Sequence, residues 1–322
     1  MKILSRDEHI YADVLVLGGG LGGCFAAIKA AEAGARVVVF EKAHILRSGS
    51  NATGSGRITL IHPDYNYTPE QFAKLNVETG GGIVDEDIPY EFARHCLHRV
   101  LELESYGIQL RGDDGSFFMM QGPDIAPGKI VFWPPGPRVW QDMKPKLARK
   151  VMEYENINVL NRTAAIGLLT RDGVVGGEVV GAVGIGTRTG QFVICEAKSV
   201  VLTSGNSHRL ARHHDTCYAP SRFVTVSPPT NCGEGQAMAF RAGADLVNME
   251  FAYVARIWKD FAHAGVGQTT GAGGKTITGT GAELGIEERY RLTHQGGFNT
   301  QRPIYVDPRD VEGWPEEKGM ME

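Results

Sequence analysis

Gly18, Gly20 and Gly23 stand in the spacing G-x-G-x-x-G, with Leu21 inside it. Each glycine has a task in binding a diphosphate. Gly18 permits a tight exit from a strand, Gly20 lets phosphate oxygens reach the main chain, and Gly23 lets a helix pack closely on that strand. The helix start then offers unpaired N–H groups and a positive dipole end to the anion. Glu41, with Lys42 behind it, lies 23 residues after Gly18. An acid at that distance accepts hydrogen bonds from ribose hydroxyls, and it would repel a 2′-phosphate.

Two further stretches carry small polar residues. Residues 47–57 read Arg-Ser-Gly-Ser-Asn-Ala-Thr-Gly-Ser-Gly-Arg, hydroxyls and one amide with almost no bulk. Ser48, Gly49, Ser50, Asn51, Thr53 and Gly54 could lie along an extended cofactor and donate hydrogen bonds to it. A solvated Ser/Gly linker would have the same composition. Gly233-Glu234-Gly235 places an acid where it could touch a cofactor, or simply cap the helix expected over 236–242.

The elements that must position these residues follow from the pattern of apolar positions. Residues 13–17 are a continuous apolar run suited to a strand covered on both faces. The alanine-rich stretch 24–33 predicts a helix stopped by Gly34, and 36–40 a second strand. Thr68-Pro69-Glu70-Gln71 is a helix start with its own cap. The spacing over 85–106 predicts a longer helix with Phe92, Cys96, Val100 and Leu103 on one face and Gly107 as its stop. Residues 117–140 are rich in proline and aromatics and read as irregular, either a packed loop or a surface for a substrate or partner. Strands are expected over 166–170, 179–187 and 191–195, joined by Asp172-Gly173 and Arg188-Thr189-Gly190. A last strand, 198–203, ends at Ser204-Gly205-Asn206.

Composition narrows the function classes. An apolar share of 42% and a charged share of 22% are those of an ordinary globular protein, and a net charge of −4 leaves no nucleic-acid footprint. No apolar run reaches membrane-spanning length, and residues 1–9 are charged rather than leader-like, so a cytoplasmic protein without membrane insertion is expected. The five cysteines form no C-x-x-C pair, and His208, His213 and His214 have no acid or cysteine at ligand spacing; no metal is expected.

Taken in order, Val-Leu-Gly-Gly-Gly-Leu-Gly-Gly at 16–23, Val-Phe-Glu-Lys at 39–42 and Arg-Ser-Gly-Ser-Asn-Ala-Thr-Gly-Ser-Gly at 47–56 resemble the fumarate reductase/succinate dehydrogenase flavoprotein family. That family includes L-aspartate oxidase and the adenylylsulfate reductase flavoprotein subunit. Asn231-Cys232-Gly233-Glu234-Gly235 is similar to the family's Asn-x-Gly-Asp-Gly, with glutamate for aspartate, and the resemblance covers about residues 12–251. It implies an α/β protein: a Rossmann-like FAD-binding domain with a β-meander crossover over 1–250, followed by the start of an α+β capping domain over 251–322. Ala165, Ser204, Gly205 and Glu234 then join the candidate cofactor contacts. Ser48 is followed by Gly49, where quinone-linked members carry a histidine bonded to the flavin, so non-covalent FAD is expected.

The resemblance also implies hydride transfer between flavin N5 and a small-molecule substrate, with an iron–sulfur protein as an electron-transfer partner. Arginine suits a carboxylate-bearing substrate because its planar fork makes two parallel hydrogen bonds. The candidates for substrate binding or catalysis are Arg256, His294 and Arg302, with His263 and Arg309 nearby; the family's own substrate motifs are not recognisable after Phe251. The chain ends where the cap is expected to continue, which reads as a partial sequence or a chain completed by a second one; a minimal protein is the alternative. A flavin-binding electron-transfer subunit and an NAD(P) dehydrogenase are the competing functions.

Overall fold

A computed structural model describes residues 8–52, 58–65, 67–80, 82–117, 119–121, 130–132, 139–207 and 230–249. Strand β1, Glu8–Leu17, leads through the glycine turn into helix α1, Leu21–Glu32, and back to strand β2, Val37–Glu41. The two strands run parallel, Val14 opposite Val37 and Leu17 opposite Phe40. Every residue of β2 is buried, as expected of a strand covered on both faces. On one face Val16, Val37 and Val39 pack against Ala27 and Ala31 of α1. On the other, Leu15, Leu17, Val38 and Phe40 join Ala182, Val193, Cys195 and Met238.

Strand β6, Ile157–Asn161, extends the parallel sheet beyond β2. Strands β7, Thr163–Thr170, and β8, Val179–Gly186, form the antiparallel meander, which hands over to β9, Phe192–Leu202. The six strands lie in the order β6-β2-β1-β9-β8-β7. The stretches expected as two strands, 191–195 and 198–203, are one. β9 pairs with β8 through its first half and with β1 along its length, from Glu8–Val193 to Leu17–Leu202. That long partner is also why β1 starts at Glu8 rather than Asp13.

The helical side is a second cluster. Helix α2, Pro69–Thr79, opens with the expected capping box, Gln71 N–H donating to Thr68 Oγ1 and Thr68 N–H to Gln71 Oε1. Helix α3, Asp87–Ser105, buries Ala93, Cys96, Val100 and Leu103. Phe92, expected on that face, is exposed and lies beside Phe72; Ala93 holds the inward position. Residues 117–140 are not all irregular: β5, Ile130–Phe132, pairs with both β4, Met119–Gln121, and β3, Ile58–Thr59, in a small antiparallel sheet. Helix α4, Val139–Met152, joins the two sides, since Met143 belongs to the α3 cluster while Leu147, Ala148 and Val151 pack on Cys24, Ile28 and Ile45. Helix α5, Glu234–Arg241, places Met238 on the sheet. The expected capping domain, 251–322, lies outside the described residues.

Candidate cofactor-binding site

The C-terminal ends of β1, β2 and β9 open into a cleft of about 360 Å³ at the mouth of α1. This is where open α/β sheets bind ligands, and the size suits a small-molecule site. The glycine turn builds its floor. Gly18 has φ +112°, a conformation that side chains rarely adopt, and a Cβ there would meet the Thr203 carbonyl at 2.6 Å. At Gly23 a Cβ would lie 1.8 Å from the Gly18 carbonyl oxygen, so only glycine lets α1 come this close to β1. Gly20 differs: a Cβ there would have nothing nearer than Gly49 Cα at 4.0 Å, and it would project into the cleft. Gly20 is also the N-cap of α1 and has no side chain to cap it. The first N–H groups of the helix therefore lack an intrahelical acceptor and face an open gap.

Side chains lock this floor from behind. Glu41 is buried, 5% exposed, and both its oxygens are engaged: Oε2 accepts from Gly19 N–H at 2.7 Å and Oε1 from Ala43 N–H at 2.6 Å. A carboxylate has about four acceptor sites, so ribose hydroxyls can still reach it. Thr203 Oγ1 donates to the Gly18 carbonyl at 2.7 Å, and Ser48 Oγ to the Gly19 carbonyl at 3.2 Å.

The rim is built by contacts between distant parts of the chain. Asn231, buried, donates from Nδ2 to Ser50 Oγ at 3.1 Å. Lys42, at the end of β2, forms an ion pair with Glu234, the first residue of α5. Burial pushes the Glu234 carboxyl up, but Lys42 and the N–H groups of the helix start outweigh it and hold it below its ordinary value. Gly235 brings α5 against Ser204, leaving no room for a Cβ.

Twelve of the expected contacts line this one cleft: Gly18, Gly20, Leu21, Glu41, Lys42, Ser48, Gly49, Ser50, Ala165, Ser204, Gly205 and Glu234. Gly23 lies beneath the floor instead, at the helix–strand contact. Asn51 sits in the short turn Ser50–Ala52. Thr53, Gly54, Arg256, His294 and Arg302 lie outside the described residues, as do His263 and Arg309. Thr163, Thr203, Asn231 and Met238 line the cleft without having been expected there. Thr203 and Asn231 flank motifs that the sequence shows plainly; Thr163 carries no local signal.

The uncapped helix end, the gap at Gly20 and the acid behind the turn fit a dinucleotide. A family model described as "FAD binding domain" matches residues 13–258. The L-aspartate oxidase of Halobacterium salinarum is 27% identical over 251 residues, covering 74% of this chain and 44% of that protein. A fumarate reductase flavoprotein subunit of a Serratia species is 26% identical over 245 residues, covering 74% and 38%. The structure of E. coli quinol fumarate reductase shares the fold, with a TM-score of 0.65 at 22% identity over 86% of this chain and 42% of that one. The chain thus spans under half the length of the curated relatives it matches. With the family match running over most of the chain and over the residues that build this cleft, the chain belongs to the FAD-binding family of fumarate reductase and succinate dehydrogenase flavoproteins, and its cofactor is FAD.

Proposed function

We propose that the chain holds FAD without a covalent bond and serves an oxidoreductase acting on a small, carboxylate-bearing molecule. The observation that carries this reading is the open gap at Gly20, beside the uncapped start of α1 and in front of Glu41. The N–H groups of the first turn would take the diphosphate, and Glu41 the adenosine ribose hydroxyls. Ser48, Ser50 and Asn231 supply hydroxyl and amide groups to the cleft, and the meander contributes Ala165. FAD, when bound, supplies a hydride donor and acceptor at its N5 atom. Gly49 stands where a covalent attachment would require a histidine, which supports reversible binding. The reading places the protein in the cytoplasm; among the described residues no helix is long and apolar enough to cross a membrane. It sets the domain boundary near residue 250.

A second reading rests on the cleft's own lining. Among the described residues it includes no arginine and no histidine, the groups that would orient a carboxylate substrate. Those groups then come from Arg256, His294 or Arg302, or from another polypeptide, with an iron–sulfur protein as the electron partner. One experiment separates the two. The chain is purified with its flavin, acid-precipitated to see where the yellow colour goes, and titrated with fumarate or succinate without oxygen. Flavin that leaves with the supernatant and changes redox state on substrate addition supports the first reading. Flavin that stays on the polypeptide overturns non-covalent binding, and bound flavin unmoved by substrate favours the electron-transfer subunit.

A further inference from the structure

Beneath the glycine turn, Lys144 of α4 is fully buried at 0% exposure. Its Nζ donates to the Ile45 carbonyl and to the Cys24 sulfur, the latter at 3.2 Å. Neither partner is charged. Cys24 is itself fully buried, and burial pushes its thiol up despite the nearby ammonium, so it keeps its proton and donates it to the Gly19 carbonyl at 3.5 Å. Among the described residues, no carboxylate forms an ion pair with Lys144. An ammonium taken out of water is unfavourable unless an anion compensates it, and the same helix's other inward residues, Leu147 and Val151, are apolar.

The cleft supplies the missing half of the argument. Two carboxylates, Glu41 and Glu234, line a site that must accept a diphosphate, and like charges would oppose it. Glu234 is neutralised by contact with Lys42. Among the described residues, Glu41 has only the neutral N–H groups of Gly19 and Ala43 as partners. Lys144 and Glu41 stand at the two ends of one hydrogen-bonded series, Lys144 donating to Cys24, Cys24 to the Gly19 carbonyl, and Gly19 N–H to Glu41. In a buried setting such charges act on each other with little screening.

We propose that Lys144 is a positioning residue for the cofactor: its buried ammonium offsets Glu41 and, through Cys24, fixes Gly19, so that the mouth of α1 accepts the diphosphate of FAD. The inference rests on the cleft being the FAD site. The chain Lys144–Cys24–Gly19–Glu41 sets the turn from behind, and the ammonium reaches no ligand atom directly.

The test uses ADP and adenosine as probes on the full chain, each displacing bound FAD in a fluorescence titration. Only ADP carries the diphosphate. Lys144→Met is expected to weaken FAD and ADP binding by about tenfold, equivalent to about 1.4 kcal/mol, while adenosine affinity stays within about twofold. A role in packing alone would move both probes together, and that result overturns the proposal, as does unchanged ADP affinity. Lys144→Gln, which keeps a donor but no charge, is measured beside it and is expected to behave the same way. If both neutral variants fail to fold, Lys144 belongs to the fold and the proposal falls. If the unaltered chain binds neither FAD nor ADP, the reading of the cleft itself fails, a result distinct from any difference between variants.

Discussion

The floor and the rim of the cleft are built by different means. In the floor, glycine main chain is held mostly from nearby in the sequence, Gly19 N–H donating to Glu41 Oε2 and Ser48 to the Gly19 carbonyl, with Thr203 as the one distant clamp on the Gly18 carbonyl. In the rim, side chains meet across long stretches of chain, Ser50 with Asn231 at a separation of 181 residues and Lys42 with Glu234 at 192. Glu41 and Ser48 are buried, whereas the Lys42 and Glu234 side chains are 28% and 39% exposed. A buried hydrogen bond to main chain fixes geometry, and its loss strands a polar group. A half-exposed ion pair closes a contact but contributes little to stability. The floor should therefore break the fold when altered, and the rim should adjust.

The largest effect is expected inside the floor, where two glycines of one motif part company. Gly23→Ala forces a methyl onto the Gly18 carbonyl, 1.8 Å from where the new carbon would sit. Overpacking against main chain that cannot move aside should cost about 3 kcal/mol and abolish FAD binding with it. Gly20→Ala has a backbone conformation alanine accepts, φ −65° and ψ −170°, and free space for its methyl. Its stability should stay within about 1 kcal/mol, while FAD affinity falls by about tenfold because the methyl occupies the phosphate approach. Thermal melts and flavin titrations of the two variants give the comparison. Equal loss of stability in both would erase the distinction between a packing glycine and a ligand-facing one.

Glu41→Gln comes next. One of the two N–H groups now held by the carboxylate, Gly19 or Ala43, would face an amide donor instead of an acceptor. An unsatisfied buried donor costs about 2 kcal/mol, read as a lower denaturant midpoint at neutral pH. A variant as stable as the original chain would show that the floor tolerates rearrangement as readily as the rim.

The same contrast explains what the sequence revealed. The β1–α1–β2 unit was legible because its signals are local: an apolar run, glycines at fixed spacing, alanines, a second run, an acid. The rim showed only its motifs; nothing in Lys42 or Glu234 announces a partner 192 residues away. β9 reads in the sequence as two strands on either side of Glu196–Ala197, yet Glu196 and Lys198 are exposed while Cys195 and Ala197 are buried, so the alternation holds from Phe192 to Lys198 and carries the strand across the charged stretch. α4 was hidden by Pro145, which removes one helical donor, and by Lys144, a polar residue at a position that turns inward.

The smallest expected effect is at the rim, and its pH dependence carries the information. Pairing with Lys42 and the helix-start N–H groups holds the folded Glu234 carboxyl below its ordinary value. A depressed folded pKa means that the unfolded chain binds the proton first as pH falls. The stabilisation is therefore complete above the ordinary carboxylate range and is lost as pH drops through the folded value. Glu234→Gln removes that contribution at every pH. Its penalty at neutral pH should be no more than about 0.5 kcal/mol, discounted for the side chain's exposure to solvent, and should shrink towards zero in acid, where the original carboxyl is itself protonated. Urea midpoints of the two proteins should converge as pH is lowered. A gap that persists or widens in acid would mean that Glu234 acts through its shape at the start of α5, and the rim would then be built on packing as the floor is.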